Sequence, residues 1–483
     1  MTLENQMFAS RLAPAGGSAK GVAFVSPTYT TRGRSTNRSE RGKPLQAETK
    51  TKLLASMHAG RLVIVCGAGL SMAAPSNLPA AWRVAEASFD KYTLETDPTC
   101  NPIMRHDLEA FAQHFVGLHT LQSVFIESLV PWQVFVKPPN AGHAAVADFL
   151  VTRAAVAALS ANYDTLIEQS AVANGFDFQN SLDGDEATTR FRTQGPLLKF
   201  HGCATRDRLA TVWAPSQLDE PPIADRIAKS KTWMAANLRQ KDLLVVGFWS
   251  DWAYLNTLLG TVLDGLAPLS VTVIDLADAA ALEAKAPDLW ALAHGPQVQF
   301  THVQESGAEA LAELRKAFSR NYLRGVLAAG KQAFEATTGV ACDPAWLEPP
   351  DFDNETLYSL RRDAEGVPAG QPASRSKPSQ CEILGVFHLL LRQAGAAPTG
   401  LGYDLAGRSV RVVNGAGAVL NQLRTKFIEA PAIAATDIVV AAGATNLPLP
   451  GSVVRPGSAG SFIRPTAMGD WYDLDGARLE LGI

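Results

Sequence analysis

The sequence predicts an α/β fold built around a doubly wound parallel sheet, and three observations support this. Short apolar runs alternate with helical patterns from about residue 50 to 340, as in sheets covered by helices on both faces. The run at 62–66 is wholly apolar and enters a Gly-Ala-Gly turn, which suits a buried strand followed by a sharp turn. Polar residues follow several runs, at the sheet edge where such folds bind ligands.

Each element follows from the local pattern. The apolar runs predict strands at 62–66, 155–160, 197–200, 243–247 and 270–276. Helical periodicity predicts helices at 50–59, 144–152, 164–174, 224–239 and 252–266, and a helix over 307–341 that closes the domain. The pattern of residues 84–136 is mainly helical, which predicts a helical insertion. The resulting domain spans 50–340.

The remainder of the chain predicts a smaller second domain. Residues 341–380 form a connector, and its part from 362 to 380 is polar and rich in Pro, Gly and Ser, which is typical of a linker. Residues 381–483 begin with a helix at 382–393. Short β-like runs at 409–413, 437–441 and 452–454 follow among many glycines, which predicts an α+β, β-rich domain. It carries no catalytic motif, so we expect a sensing or assembly role.

Composition sets broad limits on function. A chain of 483 residues is too long for one core, and its net charge of −4 gives no whole-chain reason to expect nucleic acid. The first 50 residues carry eight Lys/Arg against three Asp/Glu, a net +5, which leaves −9 for the rest. They lack apolar periodicity, so residues 1–49 are predicted to be a disordered basic arm or the product of a misassigned start. Only this arm is a candidate for direct nucleic-acid contact.

Cysteine usage and hydropathy indicate the compartment. The five cysteines form no CxxC pair, which is typical of reduced thiols in a cytoplasmic protein. No run of about 18 apolar residues occurs, so we expect no membrane contact.

Three strand ends carry candidate chemistry. Asn162 and Asp164 follow the strand at 155–160, and helix capping is the alternative reading. His201 follows the strand at 197–200 and, with an ordinary pKa of about 6.5, is a candidate base, although a structural role is the common one. Asp275 ends another strand, where it can bind a ribose or cap a helix. His143 is interpreted as a residue that fixes a helix start.

The ordered motifs resemble the sirtuin family, specifically the sirtuin-like branch of bacterial defence proteins. The resemblance covers about 50–330 and rests on GAGLS (67–71), LPAAW (78–82), PxxxH (139–143), SANYD (160–164), KFHG (199–202) and VVGFWSD (245–251). It implies a Rossmann-like fold, and it implies that NAD⁺ is the substrate. Asn162 and Asp164 match the family's Asn-x-Asp, and His201 matches its catalytic histidine. The implied cofactor-binding residues are Gly67, Ala68, Gly69, Ser71, Trp82, Gly247, Phe248 and Asp275.

Two departures from the family narrow the expected activity. Sirtuin deacylases hold a structural zinc with four cysteines, whereas residues 203–245 contain only Cys203, so no zinc is expected. The family's Pro-Asp-Phe-Arg is Pro-Ala-Ala-Trp at 79–82, which argues against an acyl-lysine groove. We therefore expect an NAD⁺ glycohydrolase that releases nicotinamide and ADP-ribose or a cyclic product. A non-enzymatic NAD- or ADP-ribose-binding module is the alternative, and a protein deacylase or ADP-ribosyltransferase is less favoured.

The resemblance also implies a biological setting. Proteins of this branch deplete NAD⁺ during phage infection, and they form homo-oligomers or pair with a HerA-type ATPase or a short Argonaute.

Overall fold

The computed structural model describes residues 45–249, 267–368, 377–427, 436–445 and 469–483. Residues 1–44 of the predicted basic arm, the predicted helix at 252–266, the last two residues of the 245–251 motif and the run at 452–454 lie outside these ranges. The described residues all belong to one compact unit.

A six-stranded parallel sheet forms the centre of the first part. Its strands are β1 (Leu62–Cys66), β2 (Ala155–Ser160), β3 (Leu197–Leu198), β4 (Asp242–Val246), β5 (Ser270–Asp275) and β6 (Gln299–Gln304). They lie in the order β3-β2-β1-β4-β5-β6, and every pair is parallel. This is the doubly wound order, in which the winding reverses between β1 and β4. The predicted fold class is confirmed.

Helices cover both faces of this sheet. Both faces are apolar, because residues that alternate along each buried strand point to opposite sides. Val63 and Val65 belong to one apolar core, whereas Leu62 and Ile64 belong to the other. The helices are α1 (Ala47–His58), α2 (Ala68–Ser71), α3 (Ala81–Glu95), α4 (Leu108–Gly117), α5 (Ala141–Val151), α6 (Leu166–Ala173), α7 (Gly184–Arg190), α8 (Pro221–Asn237), α9 (Ala279–Lys285), α10 (Pro287–Ala293) and α11 (Gly307–Thr338).

The predicted helical insertion is also found. Between α3 and α5 it contains α4, two 3₁₀ helices (Pro102–His106 and Trp132–Phe135) and a π-helix (Leu121–Leu129). Its aromatic core includes Phe89, Phe111 and Phe125, and the last of these rings packs edge-on against Trp213. The insertion is thereby fixed to the loop that follows β3.

The C-terminal part contains a second sheet. Its order is β11-β10-β9-β8-β7, with β9, β10 and β11 parallel and β7 and β8 forming an antiparallel hairpin onto β9. The elements are α12 (Asn354–Ala364), α13 (Glu382–Gln393), β7 (Ala397–Thr399), β8 (Gly402–Leu405), β9 (Arg408–Asn414), α14 (Leu420–Phe427), β10 (Ile438–Ala442), β11 (Asp470–Tyr472) and α15 (Leu474–Leu481). A mixed sheet agrees with the predicted α+β character.

Helix α11 packs against both parts of the chain. Leu311 and Leu314, near its start, belong to the core beneath the first sheet. Val326 and Phe334, near its end, belong to the core of the C-terminal part. A Cβ on Gly330 would lie 2.3 Å from the carbonyl carbon of Gly385, so α11 and α13 meet backbone to backbone. At 32 residues, α11 is about 48 Å long.

A buried network of ion pairs joins α5, α11, α12 and β9. Asp148 of α5 accepts hydrogen bonds from Arg315 of α11, at 3.0 Å, and from Arg361 of α12. Asp363, two residues further along α12, accepts two bonds of 2.8 Å from Arg411 of β9. Burial, the largest influence, would raise the pKa of Asp148, yet Arg361 and Arg315 together lower it. Asp148 is therefore held as a buried anion between two cations.

The predicted linker at 362–380 is wrong over its first residues. Residues 362–364 end α12, and Arg362 and Asp363 are buried. The polar composition of 362–380 predicts a solvated linker, whereas Arg362 pairs with Glu365 and Asp363 pairs with Arg411 inside the protein.

Two further observations concern the described residues. All five cysteines lie within them, and none forms a disulfide with another. No described helix is both long enough and apolar enough to cross a membrane.

Candidate functional site

Two glycine turns pack against each other at the point where the sheet reverses. The amide of Gly67, after β1, donates to the Val246 carbonyl, and the amide of Gly69 donates to the Gly247 carbonyl at 2.9 Å. A Cβ on Gly67 would lie 2.3 Å from the Phe248 Cα. The turn after β4 occupies the space that a Cβ would need at Gly67 and at Gly69, so both positions require glycine. Their part in binding the cofactor stays a prediction.

Three of the predicted site residues meet beside this turn. Asn162 Nδ2 donates to the Gly67 carbonyl at 3.0 Å and to Ser71 Oγ at 3.2 Å. Ser71 Oγ donates to Asp164 Oδ2 at 2.9 Å, and Asp164 Oδ1 accepts from the Leu166 amide at 3.1 Å. Ser71 and Asp164 are buried, whereas Asn162 is half-buried. The carboxyl ends of β1 and β2 thus bring together residues that are 91–93 positions apart in sequence.

His143 belongs to the same cluster, which sequence reasoning missed. Its Nδ1 accepts from the Asn140 amide at 3.1 Å, completing a capping box at the start of α5. The predicted role at a helix start is therefore observed. Its Nε2 also lies 3.1 Å from Ser71 Oγ. The PxxxH motif was the available signal, but only the placement of α5 against the first turn reveals this second contact.

A buried lysine supports the segment that carries Asp164. Lys199 Nζ donates to the main-chain carbonyls of Asp164 and Tyr163 and pairs with Glu168 Oε1 at 3.2 Å. Burial, the largest influence, would lower the pKa of Lys199, yet Glu168 and nearby groups raise it above its ordinary value. A permanent cation thus fixes the loop between β2 and α6.

His201 is more deeply buried than the sequence suggested. Its ring stacks on Tyr163, with centroids 6.1 Å apart, and meets Phe200 edge-on. Burial, assisted by Arg226, lowers the pKa of His201 to about 3. The expected pKa near 6.5 is wrong for this conformation, because the charged imidazole would have to leave water. His201 is neutral at pH 7.

The other predicted cofactor-binding residues are distributed around this region. Phe248 is buried against Gly67, whereas Trp82 is 44% exposed, with the Arg83 guanidinium 4.0 Å above its ring. Asp275 Oδ1 accepts from the Ala277 amide at 2.9 Å, so it stabilises its own turn at the end of β5. Roles for these residues in NAD binding remain predictions.

Cys66 ends β1 directly before the first turn. It is fully buried, and desolvation, with a contribution from the nearby Asp164 charge, raises the pKa of its thiol to about 12. The thiolate is the nucleophilic form of cysteine, so Cys66 is inert at neutral pH.

Acid should destabilise the fold through the two buried histidines. Burial lowers the pKa of His143 to about 4 and that of His201 to about 3, against about 6.5 in an unfolded chain. Between pH 6.5 and 4 the unfolded state therefore binds more protons, and stability falls as pH falls. We expect each histidine to contribute about 1–2 kcal/mol to the loss between pH 7 and pH 5. Urea titrations at the two pH values measure this. Equal unfolding free energies would contradict it.

Comparison with known proteins gave matches only among solved structures. No protein-family model and no curated protein matches the chain. A mutant Sir2 homologue in complex with 2′-O-acetyl ADP-ribose aligns at 18% identity and a TM-score of 0.34, over 56% of this chain and 97% of that one. A Sir2 homologue–NAD complex aligns at 16% identity and a TM-score of 0.33, over 58% of this chain and 97% of that one. A mutant Sir2 homologue–ADP-ribose complex aligns at 16% identity and a TM-score of 0.32, over 56% of this chain and 97% of that one. The fold class itself rests on this chain's own strand order.

Proposed function

We propose that this protein is an NAD⁺ glycohydrolase, which breaks the nicotinamide–ribose bond and gives nicotinamide and ADP-ribose or a cyclic product. The observation that carries the proposal is the cluster in which Asn162, Ser71 and Asp164 meet at the switch point of a doubly wound sheet. Ligands of such sheets bind at this place. The ordered motifs that resemble sirtuins supply the same residues.

Asn162 is suited to hold the attacking group. The Gly67 carbonyl can only accept a hydrogen bond, so the Asn162 amide nitrogen must face it, and both amide hydrogens are used within the protein. The Oδ1 atom of this half-buried side chain is then the acceptor for a water or a ribose hydroxyl.

Asp164 supplies a fixed negative charge. Hydrogen bonds to each carboxylate oxygen, from Ser71 and from the Leu166 amide, hold its orientation. Departure of nicotinamide leaves positive charge on the ribose, as in other glycosidic cleavages. A carboxylate already in position stabilises that charge without reorganisation. Its remaining lone pairs also fit the ribose hydroxyls and the nicotinamide carboxamide.

His201 is the proposed base, and its burial also favours a second candidate function. The neutral imidazole is the form that accepts a proton, but a pKa of about 3 gives little driving force for the transfer. Without an effective base the same pocket would bind NAD⁺ or ADP-ribose and leave it intact. A non-enzymatic binding module is therefore the second candidate.

Replacing Asn162 by alanine tests the proposal. We expect nicotinamide release to fall at least about 100-fold, while the NAD⁺ dissociation constant changes less than about threefold, because Asn162 acts at the reacting ribose. Product chromatography and calorimetric titration measure the two effects. Asn174→Ala is the matched control, since the side-chain amide of Asn174 donates to the Ser170 carbonyl in the last turn of α6. NAD⁺ binding without nicotinamide release by the unmodified protein would favour the binding module.

The proposed role of the whole protein is depletion of cytoplasmic NAD⁺ in defence against phage. An unregulated enzyme of this kind would empty its own cell, so we propose control by residues 381–483, through self-assembly or through a HerA-type ATPase or a short Argonaute partner. The sequence resemblance supports this setting.

A further inference from the structure

The hydrogen bonds at the start of α5 fix which nitrogen of His143 carries its proton. The Asn140 amide N–H can only donate, and it points at His143 Nδ1. Nδ1 is therefore unprotonated, and in the neutral ring the hydrogen lies on Nε2. Asn140 is itself fixed, because its Oδ1 accepts from the Gly142 amide and its Nδ2 donates to the Leu70 carbonyl at 2.8 Å.

This tautomer sets the direction of the next two hydrogen bonds. Nε2–H donates to Ser71 Oγ across 3.1 Å, so the Ser71 hydroxyl hydrogen is free to point at Asp164 Oδ2, 2.9 Å away. Asn162 donates to the same serine oxygen at 3.2 Å. One donated and two accepted bonds use the full capacity of a hydroxyl group. Ser71 therefore accepts a hydrogen bond from His143 and donates one to Asp164, and it is not arranged as a nucleophile.

We propose that His143 is a positioning residue, which acts through Ser71 to hold the Asp164 carboxylate and the Asn162 amide in their reactive orientation. Its effect on turnover rests on the proposed glycohydrolase function. The relay of hydrogen bonds from Asn140 through His143 and Ser71 to Asp164 does not depend on that function.

The surroundings of His143 favour the neutral ring that the relay requires. His143 is fully buried, and burial is the largest influence on its pKa. Asp164 opposes this effect and Lys199 reinforces it, with a net pKa of about 4. Near neutral pH the ring thus keeps one hydrogen, on Nε2.

A purely structural role for His143, as part of a helix cap, is the competing explanation, and two substitutions separate it from the relay. In His143→Asn, Oδ1 takes the position of Nδ1 and can accept from the Asn140 amide, but nothing reaches Ser71. In His143→Gln, the terminal amide can donate to Ser71, but the bond to Asn140 is lost. The cap explanation favours the Asn variant, and the relay favours the Gln variant.

Turnover and stability are measured for both variants. We expect His143→Asn to slow nicotinamide release about tenfold or more, the effect of losing one buried hydrogen bond at the reacting centre. We expect His143→Gln to recover to within about threefold of the unmodified protein, although its melting temperature is the lower of the two. Equal or greater turnover by the Asn variant would overturn the proposal.

A second measurement remains decisive even if the protein releases no nicotinamide. NMR spectra are recorded of the protein labelled with ¹⁵N-histidine. The signals of His143 are identified as those absent from the spectrum of His143→Asn. We expect the Nε2–H tautomer throughout pH 5.5–8, and a change in the Nε2 shift in Ser71→Ala. An Nδ1–H tautomer, or titration near pH 6.5, would overturn the relay. Absence of nicotinamide from the unmodified protein would overturn only the glycohydrolase.

Discussion

Replacing Asp148 by alanine should lower the free energy of unfolding by about 3–5 kcal/mol, because it leaves two buried guanidinium groups without their shared carboxylate. Arg315 and Arg361 are each at most 2% exposed, and both donate to Asp148. Water cannot replace the lost carboxylate at that depth. The cost is that of leaving buried charge only partly compensated, since Arg315 keeps Glu355 and Arg361 keeps Glu365 at 3.8 Å.

Asp90→Ala is the matched control for this experiment. Asp90 also pairs with an arginine, Arg105, at 2.8 Å, but its side chain is 52% exposed. Exposed pairs contribute at most about 1 kcal/mol, so this variant should unfold at nearly the normal urea concentration. If Asp148→Ala were destabilised no more than Asp90→Ala, the buried network would not hold these helices together.

Replacing Gly67 by alanine should be similarly disruptive, with a loss of about 3 kcal/mol or more in unfolding free energy. The backbone of Gly67, at φ −125° and ψ −176°, suits any residue, so the effect is purely steric. The added methyl carbon would lie 2.3 Å from the Phe248 Cα and 2.5 Å from the Gly247 carbonyl oxygen. Both contacts are with backbone, which cannot rotate away as a side chain would.

Urea unfolding measures the effect of Gly67→Ala, and Gly117→Ala is its control. Apart from its chain neighbours and the nearby backbone of its own helix, no atom of the described residues lies within 4 Å of a Cβ at Gly117, which ends α4. Alanine there should be neutral or slightly stabilising. Because the Gly67 carbonyl accepts from Asn162, the first variant should also lose nicotinamide release. Normal stability in Gly67→Ala would mean that the two turns can move apart.

The sequence was most informative where a single local rule decides the structure. The buried strands β1, β2, β4 and β5 appear as apolar runs, and the rule that ligands bind at carboxyl ends selected Asn162 and Asp164. β6 was missed because Gln-Phe-Thr-His-Val-Gln at 299–304 mixes polar and apolar residues, as suits its half-buried position at the sheet edge.

Features that depend on long-range packing could not be predicted. The pKa of His201 depends on how deeply the loop after β3 is covered by Tyr163 and its neighbours. The contact between His143 and Ser71 depends on where α5 lies, 72 residues along the chain. In the sequence, a charged residue that becomes buried, such as Asp363, looks the same as a solvated one, because its partner Arg411 is brought to it only by folding.

The shared helix α11 has a consequence for how this protein can be divided. One half of α11 completes the core beneath the parallel sheet, and the other half completes the core of the C-terminal sheet. Each core is completed by its own half of one continuous helix, so the two parts should melt in a single cooperative transition. Because α11 is one continuous helix, we expect a change that tilts its C-terminal end to move its other end as well. At that end Arg315 donates to Asp148 of α5. His143 lies in the first turn of α5 and contacts Ser71, so α11 connects the C-terminal sheet with the cluster around Ser71.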